Sequence, residues 1–378
     1  MKQESGLRNS LKATRLRLGL SQQELAALAG VTRQTISGVE AGQYAPSTTV
    51  SLRLARALGC PVESLFWLEQ AAPELAALPA EGLAEGEHMR VALANVGGRW
   101  VAHPLTGQQA FRTEFIPADG EGMRAPGSDI VNVRLLDEPA NLARTVVLAG
   151  CTPALSLWAR AAERWHPGLR VHWVFANSTA ALARLARGEV HGAGVHLYDA
   201  ESGEFNTPFV RRQMPGRPAV LVNLGVWEEG LLVRPGNPLG LKGAADLAQP
   251  GVRIVNREPG AGARILLEQA LSQANVPHTA LHGWERTVAS HTAVAGAIAA
   301  GTADAGVSAA AMASAFGLGF VPLQRVRYDM VFPREQMQEE PVRQLLASLS
   351  HRWVRSQLEA LGGFDTSRTG EIVAEVAP

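Results

Sequence analysis

Five short segments rich in small and hydroxyl residues each lie between an apolar run and a helical pattern. They read "AGCTPALS", "FANSTAAL", "REPGAGARILL", "ASHTAVAG" and "AGVSAAA". The first turn of a helix offers unpaired N–H groups with partial positive charge, and small residues let a ligand approach the backbone. This chemistry suits a small oxyanion. The candidate ligand-binding residues in these segments are Thr152, Ser178, Thr179, Gly260, Ala261, Gly262 and Thr292.

Other side chains in the same region have two interpretations each. Arg264 could pair with an anion or could solvate its own helix, and His196 and His291 could bind a ligand or make structural hydrogen bonds. Cys151 could be an activated thiolate before a helix. The sequence shows no histidine paired with Cys151, which favours a small packing residue. Because the histidines match no metal-binding spacing, we predict no metal site.

A second kind of chemistry is indicated by the stretch "VTRQTISGVEAGQYAPST". It predicts a short helix with Ile36 and Val39 facing inward and polar residues facing outward. Arginine can bridge the acceptors of guanine and glutamine those of adenine, and a helix end with such groups fits the major groove. The candidate DNA-binding residues here are Thr32, Arg33, Gln34, Thr35 and Ser37.

Short helices must position these residues. Ser21 followed by Glu24 is a capping-box pattern, and Gly30 predicts the end of that helix. Further helices are predicted from about Thr32 to Gly42 and from Ser47 to Leu58. A first helix is predicted to be lined by Leu7, Leu11, Leu16 and Leu18.

The rest of the chain changes twice in residue composition and apolar pattern. Residues 71–88 are rich in Ala, Glu, Pro and Gly and are predicted to be a linker. Residues 89–144 contain alternating apolar segments broken by Gly and Pro, which predicts a short β-rich connecting segment. From residue 145 to 378 strands and helices alternate, which predicts an α/β domain with a parallel sheet. We therefore expect a multidomain protein with an all-α domain over residues 1–70.

Composition limits the protein class. The chain has 378 residues, of which 46% are hydrophobic and 19% charged, as in globular proteins of two or three domains. No apolar run approaches the roughly 20 residues that cross a bilayer. The N-terminus lacks a secretory pattern and there are two cysteines, so we expect a soluble cytoplasmic protein. The net charge is zero, but residues 1–70 are mildly basic.

The first seventy residues resemble the helix-turn-helix family of phage repressors and Cro. The resemblance extends from Leu7 to Leu68 and rests on "LSQQELA", "GVTRQTIS", "EAG" and "ALG". It implies that Gln22 contacts phosphate and that Thr32 to Thr35 face bases or nearby phosphates of double-stranded operator DNA. It also implies a homodimer on a palindromic site. Gly38 departs from the family, whose members often carry a long side chain there.

The α/β region resembles the type II periplasmic binding protein superfamily, whose members have two lobes joined by hinge strands. The hinge segments are "WEEGLLVRPGNP" and "RVRYDMVFPRE". More narrowly, "GCTPAL", "NSTAAL" and "NREPGAGAR" resemble domains of molybdate-responsive regulators. This resemblance implies hydroxyl donors at Thr152 and Ser178, backbone N–H donors at Ala261 and Thr292, and Ser308 in the place of a tyrosine.

These resemblances lead to one main hypothesis and two alternatives. The main hypothesis is a one-component transcriptional regulator that senses a small oxyanion, with molybdate or tungstate favoured, or a molybdenum-cofactor-related ligand. It has no cofactor and no enzymatic activity. The first alternative is an enzyme that acts on a cofactor precursor and uses DNA binding for autoregulation, with Asp199, Glu258 and His291 as candidate proton-transfer groups. The second alternative is a protein whose first seventy residues recruit a partner protein and whose α/β domain only stores ligand.

Overall fold

The computed structural model describes residues 7–68, 74–106 and 116–377. Two compact units divide the chain, residues Met1–Pro73 and Glu74–Pro378. The multidomain fold class expected from the sequence is confirmed, with a helical first unit and an α/β second unit.

The first unit is built from helices whose ends follow local rules. Ser21 and Glu24 form the predicted capping box, and Gly30 and Gly59 end their helices in the left-handed conformation that glycine adopts easily. Leu25, Ile36 and other apolar residues from each helix form one core. The helices are α1 (Leu11–Arg17), α2 (Gln22–Ala29), α3 (Arg33–Glu40), α4 (Thr48–Leu58) and α5 (Val62–Leu65).

The prediction for the first helix is wrong in part. Leu7–Asn9 form a strand, β1, that pairs antiparallel with β2 (Phe66–Leu68). The helix begins only at Leu11, whose N–H donates a hydrogen bond to the Asn9 side chain. Leu16 and Leu18 are 58% and 50% exposed, so neither belongs to the core.

The second unit opens with a closed β-barrel. Its strands are β3 (Glu74–Pro79), β4 (His88–Val96), β5 (Arg99–Pro104), β6 (Gly120–Arg124) and β7 (Val131–Leu135), in the order β3-β5-β4-β6-β7. Strand β3 lies within residues 71–88, which the sequence predicts to be a linker. It pairs with both β5 and β7 and so completes the ring. Its alanines and leucines resemble a linker in composition, but the closure of the barrel decides its conformation.

The remainder forms a two-lobed α/β body. Its helices are α6 (Pro139–Leu142), α7 (Ala154–Trp165), α8 (Ser178–Ala186), α9 (Thr207–Gln213), α10 (Gly262–Gln273), α11 (His291–Ala299), α12 (Ala310–Phe316), α13 (Glu340–Ala347) and α14 (Arg352–Ala360). Its strands are β8 (Thr145–Gly150), β9 (Arg170–Phe175), β10 (Gly192–Val195), β11 (Tyr198–Asp199), β12 (Glu204–Phe205), β13 (Ala219–Val233), β14 (Asn256–Arg257), β15 (Thr287–Val288), β16 (Ala305–Ala309), β17 (Gly319–Pro333), β18 (Phe364–Asp365) and β19 (Ile372–Val376).

The main sheet is mixed, which corrects the predicted parallel sheet. Its order is β16-β13-β17-β10-β8-β9, with β18 and β19 pairing to β13. Strands β8, β9 and β10 are parallel, as the strand–helix alternation predicts. The two long strands β13 and β17 are antiparallel to each other along their length. They make the sheet mixed because they carry the chain out to the second lobe and back.

The two lobes meet where β13 and β17 change register. The first lobe holds β8–β10, the C-terminal helices and one end of the long strands, and the second holds β14–β16, α10–α12 and the other end. The register shift falls between Glu229 and Gly230, opposite Gln324 and Pro322. A Cβ atom at Gly230 would lie 2.1 Å from the Val321 carbonyl oxygen, so the hinge admits no side chain there.

The barrel is bonded to the first lobe by buried polar groups. Asp119 accepts hydrogen bonds from the Leu93 N–H in the barrel, at 2.8 Å, and from Arg170 in β9. His191 donates from Nε2 to the Asn95 carbonyl at 3.0 Å and accepts at Nδ1 from the Val147 N–H at 2.9 Å. In the described part of the chain, every helix is too short or too polar to cross a membrane.

Candidate functional site

Four buried polar side chains meet at the junction of the lobes, and we call them the hinge cluster: Cys151, His196, Glu229 and His291. Cys151 follows β8 and His196 follows β10, both in the first lobe, whereas His291 begins α11 in the second. Glu229 lies in β13 at the register shift. These four residues are 2%, 3%, 0% and 2% exposed, respectively. Both lobes and the hinge therefore contribute to one site.

The atoms of the hinge cluster are close together. The Cys151 Sγ lies 3.8 Å from Nδ1 of His196 and 3.9 Å from Nε2 of His291. Oε1 of Glu229 lies 3.2 Å from Nε2 of His196 and 3.9 Å from Nε2 of His291. One thiol, two imidazoles and one carboxylate thus lie next to one another, with Cys151 beside Nδ1 of His196 and Glu229 beside Nε2 of the same ring.

Neighbouring groups fix the two imidazole rings. Ser308 Oγ lies 3.0 Å from Nδ1 of His291, and Ser178 Oγ lies 3.2 Å from Nδ1 of His196. The Tyr328 ring stacks on the His196 ring with a centroid distance of 5.6 Å and an interplanar angle of 19°. These contacts hold the rings before any ligand arrives.

The electrostatics of the two histidines differ. Burial opposes protonation of His196, but the Glu229 carboxylate and then Cys151 outweigh it and raise its pKa to about 10. Burial, followed by the charges of Arg257 and His196, lowers the pKa of His291 well below its usual range. His196 therefore carries a proton beside Glu229 at neutral pH, while the His291 imidazole is neutral.

Several buried polar atoms at the junction have no hydrogen-bond partner in the structure. They are both carboxylate oxygens of Glu229, Nε2 of His196, the Tyr328 hydroxyl and Nε1 of Trp227. The 3.2 Å contact between His196 and Glu229 is an ion pair without hydrogen-bond alignment. An unsatisfied buried polar group costs about 1–3 kcal/mol, and more when it is charged. A ligand bound at the cluster would satisfy these polar groups.

The lobes touch each other on either side of this cluster. The Asn177 amide donates to Glu258 at 3.3 Å, and the Thr179 hydroxyl donates to the Gly260 carbonyl at 3.0 Å. A Cβ atom at Gly262 would lie 2.5 Å from the His196 carbonyl oxygen. The structure is therefore a closed state of the two lobes.

The larger cavities described for the second unit lie elsewhere. One of about 600 Å³ borders Tyr198, Ala244 and Gln269, and one of about 260 Å³ borders Asp119, Arg160 and other residues between the barrel and the first lobe. Neither is lined by the hinge cluster.

The structure brings together only part of the predicted ligand-binding set. Ser178, His196, His291 and Ser308 lie in or beside the hinge cluster, and the buried Ala261 and Gly262 begin the helix next to it. Their role as ligand contacts stays a prediction.

The other members of that set have different surroundings. Thr179 and Thr292 are exposed, and Thr292 pairs with Ser290 at 2.9 Å. The Thr152 hydroxyl accepts a hydrogen bond from the Ala154 N–H. Arg264 binds Glu268 at 2.9 Å and stacks over Trp284, which favours the helix-solvating interpretation of this residue.

Sequence reasoning missed three members of the site. The expectation that Cys151 has no histidine partner is wrong, because two histidines lie within 3.9 Å of it. Glu229 and Tyr328 were taken only as parts of hinge strands. In "WEEGLLV" Glu229 stands between Glu228 and Gly230, and no sequence signal marks it as a buried charge.

The absence of a metal site stays a prediction, although three possible metal ligands come together in the structure. Cys151, His196 and His291 each offer one ligand atom, and these atoms all lie within 4.8 Å of one another. The spacing along the chain gave no hint, because the three residues follow or begin three different elements.

In the first unit, α3 presents the predicted polar face. Thr32, Arg33, Gln34 and Ser37 are exposed, while Ile36 and Val39 are buried. The Thr32 hydroxyl caps the helix by accepting from the Thr35 N–H at 3.1 Å. The N-terminal end of α3 is therefore free to approach a base edge, although its DNA contacts stay a prediction.

Gln22 has a partner within the first unit. Its amide donates to Glu40 at 3.0 Å, and Glu40 also binds Nε of Arg15 at 2.6 Å. This buried network ties α1, α2 and α3 together. A phosphate contact by Gln22 would have to be made while this hydrogen bond is kept or exchanged.

The glycine that departs from the repressor pattern lies under an aromatic ring. A Cβ atom at Gly38 would lie 2.4 Å from Cε1 of Tyr44, whose hydroxyl donates to the Thr35 carbonyl at 3.1 Å. Tyr44 is 41% exposed. Its ring covers the position of the missing side chain on α3, which makes Tyr44 a further candidate for a DNA contact.

The fold defines a class, namely a protein with a helix-turn-helix domain and a two-lobed α/β domain that has buried polar side chains where its lobes meet. Residues 159–350, just over half of the chain, match the family described as PBP superfamily domain, and residues 11–65 match the helix-turn-helix family. The chain therefore belongs to the PBP superfamily domain family and carries a helix-turn-helix domain.

Individual relatives agree with this assignment. The chain is 34% identical to the protein YvgK of Bacillus subtilis (strain 168) over 202 residues, which are 53% of this chain and 65% of YvgK. The match thus spans less than two thirds of YvgK. Over 64 residues it is 41% identical to the HTH-type transcriptional regulator YgzD of the same organism, covering 17% of this chain and 97% of YgzD.

A solved structure with a similar arrangement is the sulfate-binding protein SubI from Mycobacterium tuberculosis H37Rv. Its TM-score is 0.45 at 15% sequence identity, and the match covers 58% of this chain and 86% of SubI.

Proposed function

We propose that this protein is a one-component transcriptional regulator. Its first unit binds operator DNA, and its second unit binds a small ligand between the lobes. The observation that supports this most directly is the exposed polar N-terminal end of α3, with Arg33 and Gln34, in a unit of the helix-turn-helix family. We further propose that the protein acts in the cytoplasm, where its DNA is.

DNA recognition is assigned to Thr32, Arg33, Gln34, Thr35 and Ser37, with Gln22 at the backbone. A single small unit neutralises few phosphates, so its affinity is modest and falls steeply with salt. We propose that two copies bind together on a palindromic site. Such a homodimer reads two half-sites one helical turn apart or a multiple of that.

Ligand control follows from the hinge. A ligand that contacts both lobes is bound better by the closed state than by an open one, and only such a difference can shift an equilibrium. The hinge cluster provides groups from both lobes. We expect the ligand to change operator affinity by about 1–3 kcal/mol, the usual range of allosteric coupling.

The ligand suggested by the sequence is an oxyanion, with molybdate or tungstate first. Three helices support it, since α8, α10 and α11 begin at Ser178, Gly262 and His291, each in or beside the hinge cluster. Their N-terminal N–H groups favour an anion. The buried Glu229 carboxylate opposes it, so an anion binds here only if a proton or a cation accompanies it.

The experiment is a fluorescence anisotropy titration of full-length protein with duplex fragments from the region upstream of its own gene. Arg33→Ala and Gln34→Ala should each weaken binding to the selected fragment by about 5- to 150-fold, the equivalent of 1–3 kcal/mol per base contact. Arg343→Ala, an exposed arginine in α13 of the second unit, is the charge-matched control and should change little.

The same titration is repeated with saturating molybdate, tungstate and Zn²⁺. Sequence-independent binding that ignores Arg33 and Gln34 would reject the DNA-binding role. Operator affinity that stays the same with every ligand shown to bind would reject the coupling.

One observation favours a second candidate function, an enzyme that acts on a cofactor precursor. Cys151, His196 and Glu229 form a line of thiol, base and carboxylate, which is the order required for a thiol nucleophile. Of the three predicted proton-transfer groups, His291 lies 3.9 Å from the Cys151 Sγ, whereas Asp199 binds Ser202 and Glu258 binds Arg257. Alkylation by iodoacetamide that is faster at Cys151 than at Cys60 would support this candidate.

A further inference from the structure

The hinge cluster has the donor set of a transition-metal site. A thiolate, two imidazoles and a carboxylate are the ligands that Zn²⁺ takes from proteins. From the juxtaposition of Cys151, His196, Glu229 and His291 at the hinge, we infer that the protein binds one divalent transition-metal ion of the zinc class there. This inference deepens the proposed function. The metal site itself does not depend on that function, and only the assignment of the ion as the regulatory ligand rests on it.

The distances fit one ion. Zinc–sulfur bonds of about 2.3 Å and zinc–nitrogen bonds of about 2.0–2.1 Å put tetrahedral donor atoms roughly 3.3–3.7 Å apart. With one ligand atom from each residue, the ligand atoms of Cys151, His196 and His291 all lie within 4.8 Å of one another. An ion between them requires these atoms to approach each other by up to about an ångström.

The carboxylate points to a cation. Both oxygens of Glu229 are fully buried and have no hydrogen-bond donor. Burying a carboxylate is costly unless a positive charge or donors compensate it, and the described residues offer Glu229 one poorly aligned ion pair with His196. A bound dication would take over that charge compensation, and a bare oxyanion in the same place would add a second negative charge beside Glu229.

The outer contacts are those of a metal site. A metal-binding histidine almost always uses its second ring nitrogen in a hydrogen bond that fixes its orientation. Ser308 Oγ lies 3.0 Å from Nδ1 of His291, which leaves Nε2 directed at Cys151 and Glu229. Ser178 has the same relation to Nδ1 of His196, at 3.2 Å, and leaves Nε2 facing Glu229.

The ligands are divided between the moving parts. Cys151 and His196 belong to the first lobe, His291 to the second and Glu229 to the hinge strand. Only the closed arrangement brings all four together. The ion therefore stabilises closure, which is what a regulatory ligand of the proposed function must do.

The test uses full-length protein freed of metal by a chelator and titrated with ZnCl₂ in a calorimeter. We expect about one Zn²⁺ per chain, no response to MgCl₂, and thiolate-to-cobalt charge-transfer absorption when CoCl₂ is used. Cys151→Ser should lose that absorption and weaken Zn²⁺ binding at least about 100-fold, since even outer contacts are worth 10–100-fold. Cys60→Ser, which alters the other cysteine, in the first unit, is the matched control.

A second variant covers the case in which Cys151→Ser does not fold. Ser308→Ala removes only the hydroxyl beside His291 and should weaken Zn²⁺ binding by about 10–100-fold while circular dichroism stays unchanged. Folded wild-type protein that takes up no Zn²⁺ or Co²⁺, or a Cys151→Ser variant with wild-type affinity, overturns the metal site. Molybdate binding to metal-free protein at wild-type strength in Cys151→Ser also overturns it.

Failure of the metal site and failure of the proposed function are distinguishable. If Zn²⁺ binds but no operator is selected, the regulator proposal fails and the metal site stands. If the operator is bound through Arg33 and no metal binds, only the metal site fails.

Discussion

Nε2 of His196 lies 3.2 Å from Oε1 of Glu229, although one residue follows a strand of the first lobe and the other lies in the hinge strand β13. The pair is buried, and the described residues offer the carboxylate no hydrogen-bond donor, with Nε2 of His291 3.9 Å away. Glu229 carries a negative charge at the register shift between the two lobes. The stability of the closed state therefore depends on the positive charge or hydrogen-bond donor that lies beside this carboxylate. The predictions below concern this junction and the groups that support it.

Closure of the lobes should be sensitive to a single methyl group. In Gly262→Ala the new Cβ would lie 2.5 Å from the His196 carbonyl oxygen, so the lobes cannot approach fully. We expect small-angle scattering to show a larger radius of gyration and calorimetry to show at least 10-fold weaker ligand binding.

Gly296→Ala is the control, since Gly296 is a helical glycine in α11 with open space around it. It should stabilise the protein by up to about 1 kcal/mol. A variant Gly262→Ala that closes and binds normally would show that this contact does not matter.

Acid should weaken the second unit through His191. Burial lowers its pKa to about 4 from the ordinary 6.5, and protonation of Nδ1 would break the hydrogen bond from the Val147 N–H. Between pH 6.5 and pH 4 the unfolded chain takes up a proton that the folded chain does not, so the free energy of unfolding falls as the pH falls through this window. The loss approaches about 3 kcal/mol at pH 4, since one pKa unit is worth about 1.4 kcal/mol.

Urea denaturation of wild type and His191→Gln between pH 4 and pH 7 measures this contribution. The variant should have the shallower pH dependence, because its side chain does not titrate. The Glu339 carboxylate, 3.8 Å from Nε2 of His191, is present in both proteins and so does not disturb the comparison. Identical slopes would show that His191 stays unprotonated in the unfolded chain or protonates in the folded one.

The joint between barrel and first lobe should depend on Asp119. Asp119→Ala removes an acceptor for the Leu93 N–H and the partner of Arg170, leaving a buried donor unpaired. We expect a loss of about 1–3 kcal/mol in the free energy of unfolding of the second unit. Glu121→Ala, two residues further on in β6, breaks only an exposed ion pair with Arg134 and should change stability little. Equal effects of the two substitutions would contradict a special role for the buried carboxylate.

The first unit should depend on Glu40. This residue binds Arg15 and Gln22, and the Arg15 and Glu40 side chains are only 8% and 4% exposed. Glu40→Ala leaves the arginine buried without its partner, which costs about 3–5 kcal/mol. Thermal denaturation should show a greatly lowered melting temperature for the first unit. The exposed residue Glu63 serves as control in Glu63→Ala, whose melting temperature should match wild type.

Local rules explain what the sequence predicted well. The capping box at Ser21 and Glu24, and the helix ends at Gly30 and Gly59, need only neighbouring residues, and each is present. The alternation that predicted β8, α7, β9 and α8 is equally local. Strand β3 was missed because its pairing with β5 and β7 depends on barrel closure, which composition does not report.

The hinge cluster shows the limit of such reasoning. Cys151 and His291 are 140 residues apart and meet only because two long strands bring the lobes together. Ser178, His196, His291 and Ser308 were found because they lie in helix-starting or strand-ending segments. Glu229 lies inside a strand, where no motif marks it, so its importance emerges only from its burial and its missing partners.

The attachment of the barrel to the first lobe through Arg170 and His191 has a mechanical consequence. We therefore expect the barrel to follow the first lobe in any movement about the register shift at Glu229 and Gly230. Strand β3 begins at Glu74, the first residue of the second unit, so such a movement would displace the start of this unit together with the first lobe.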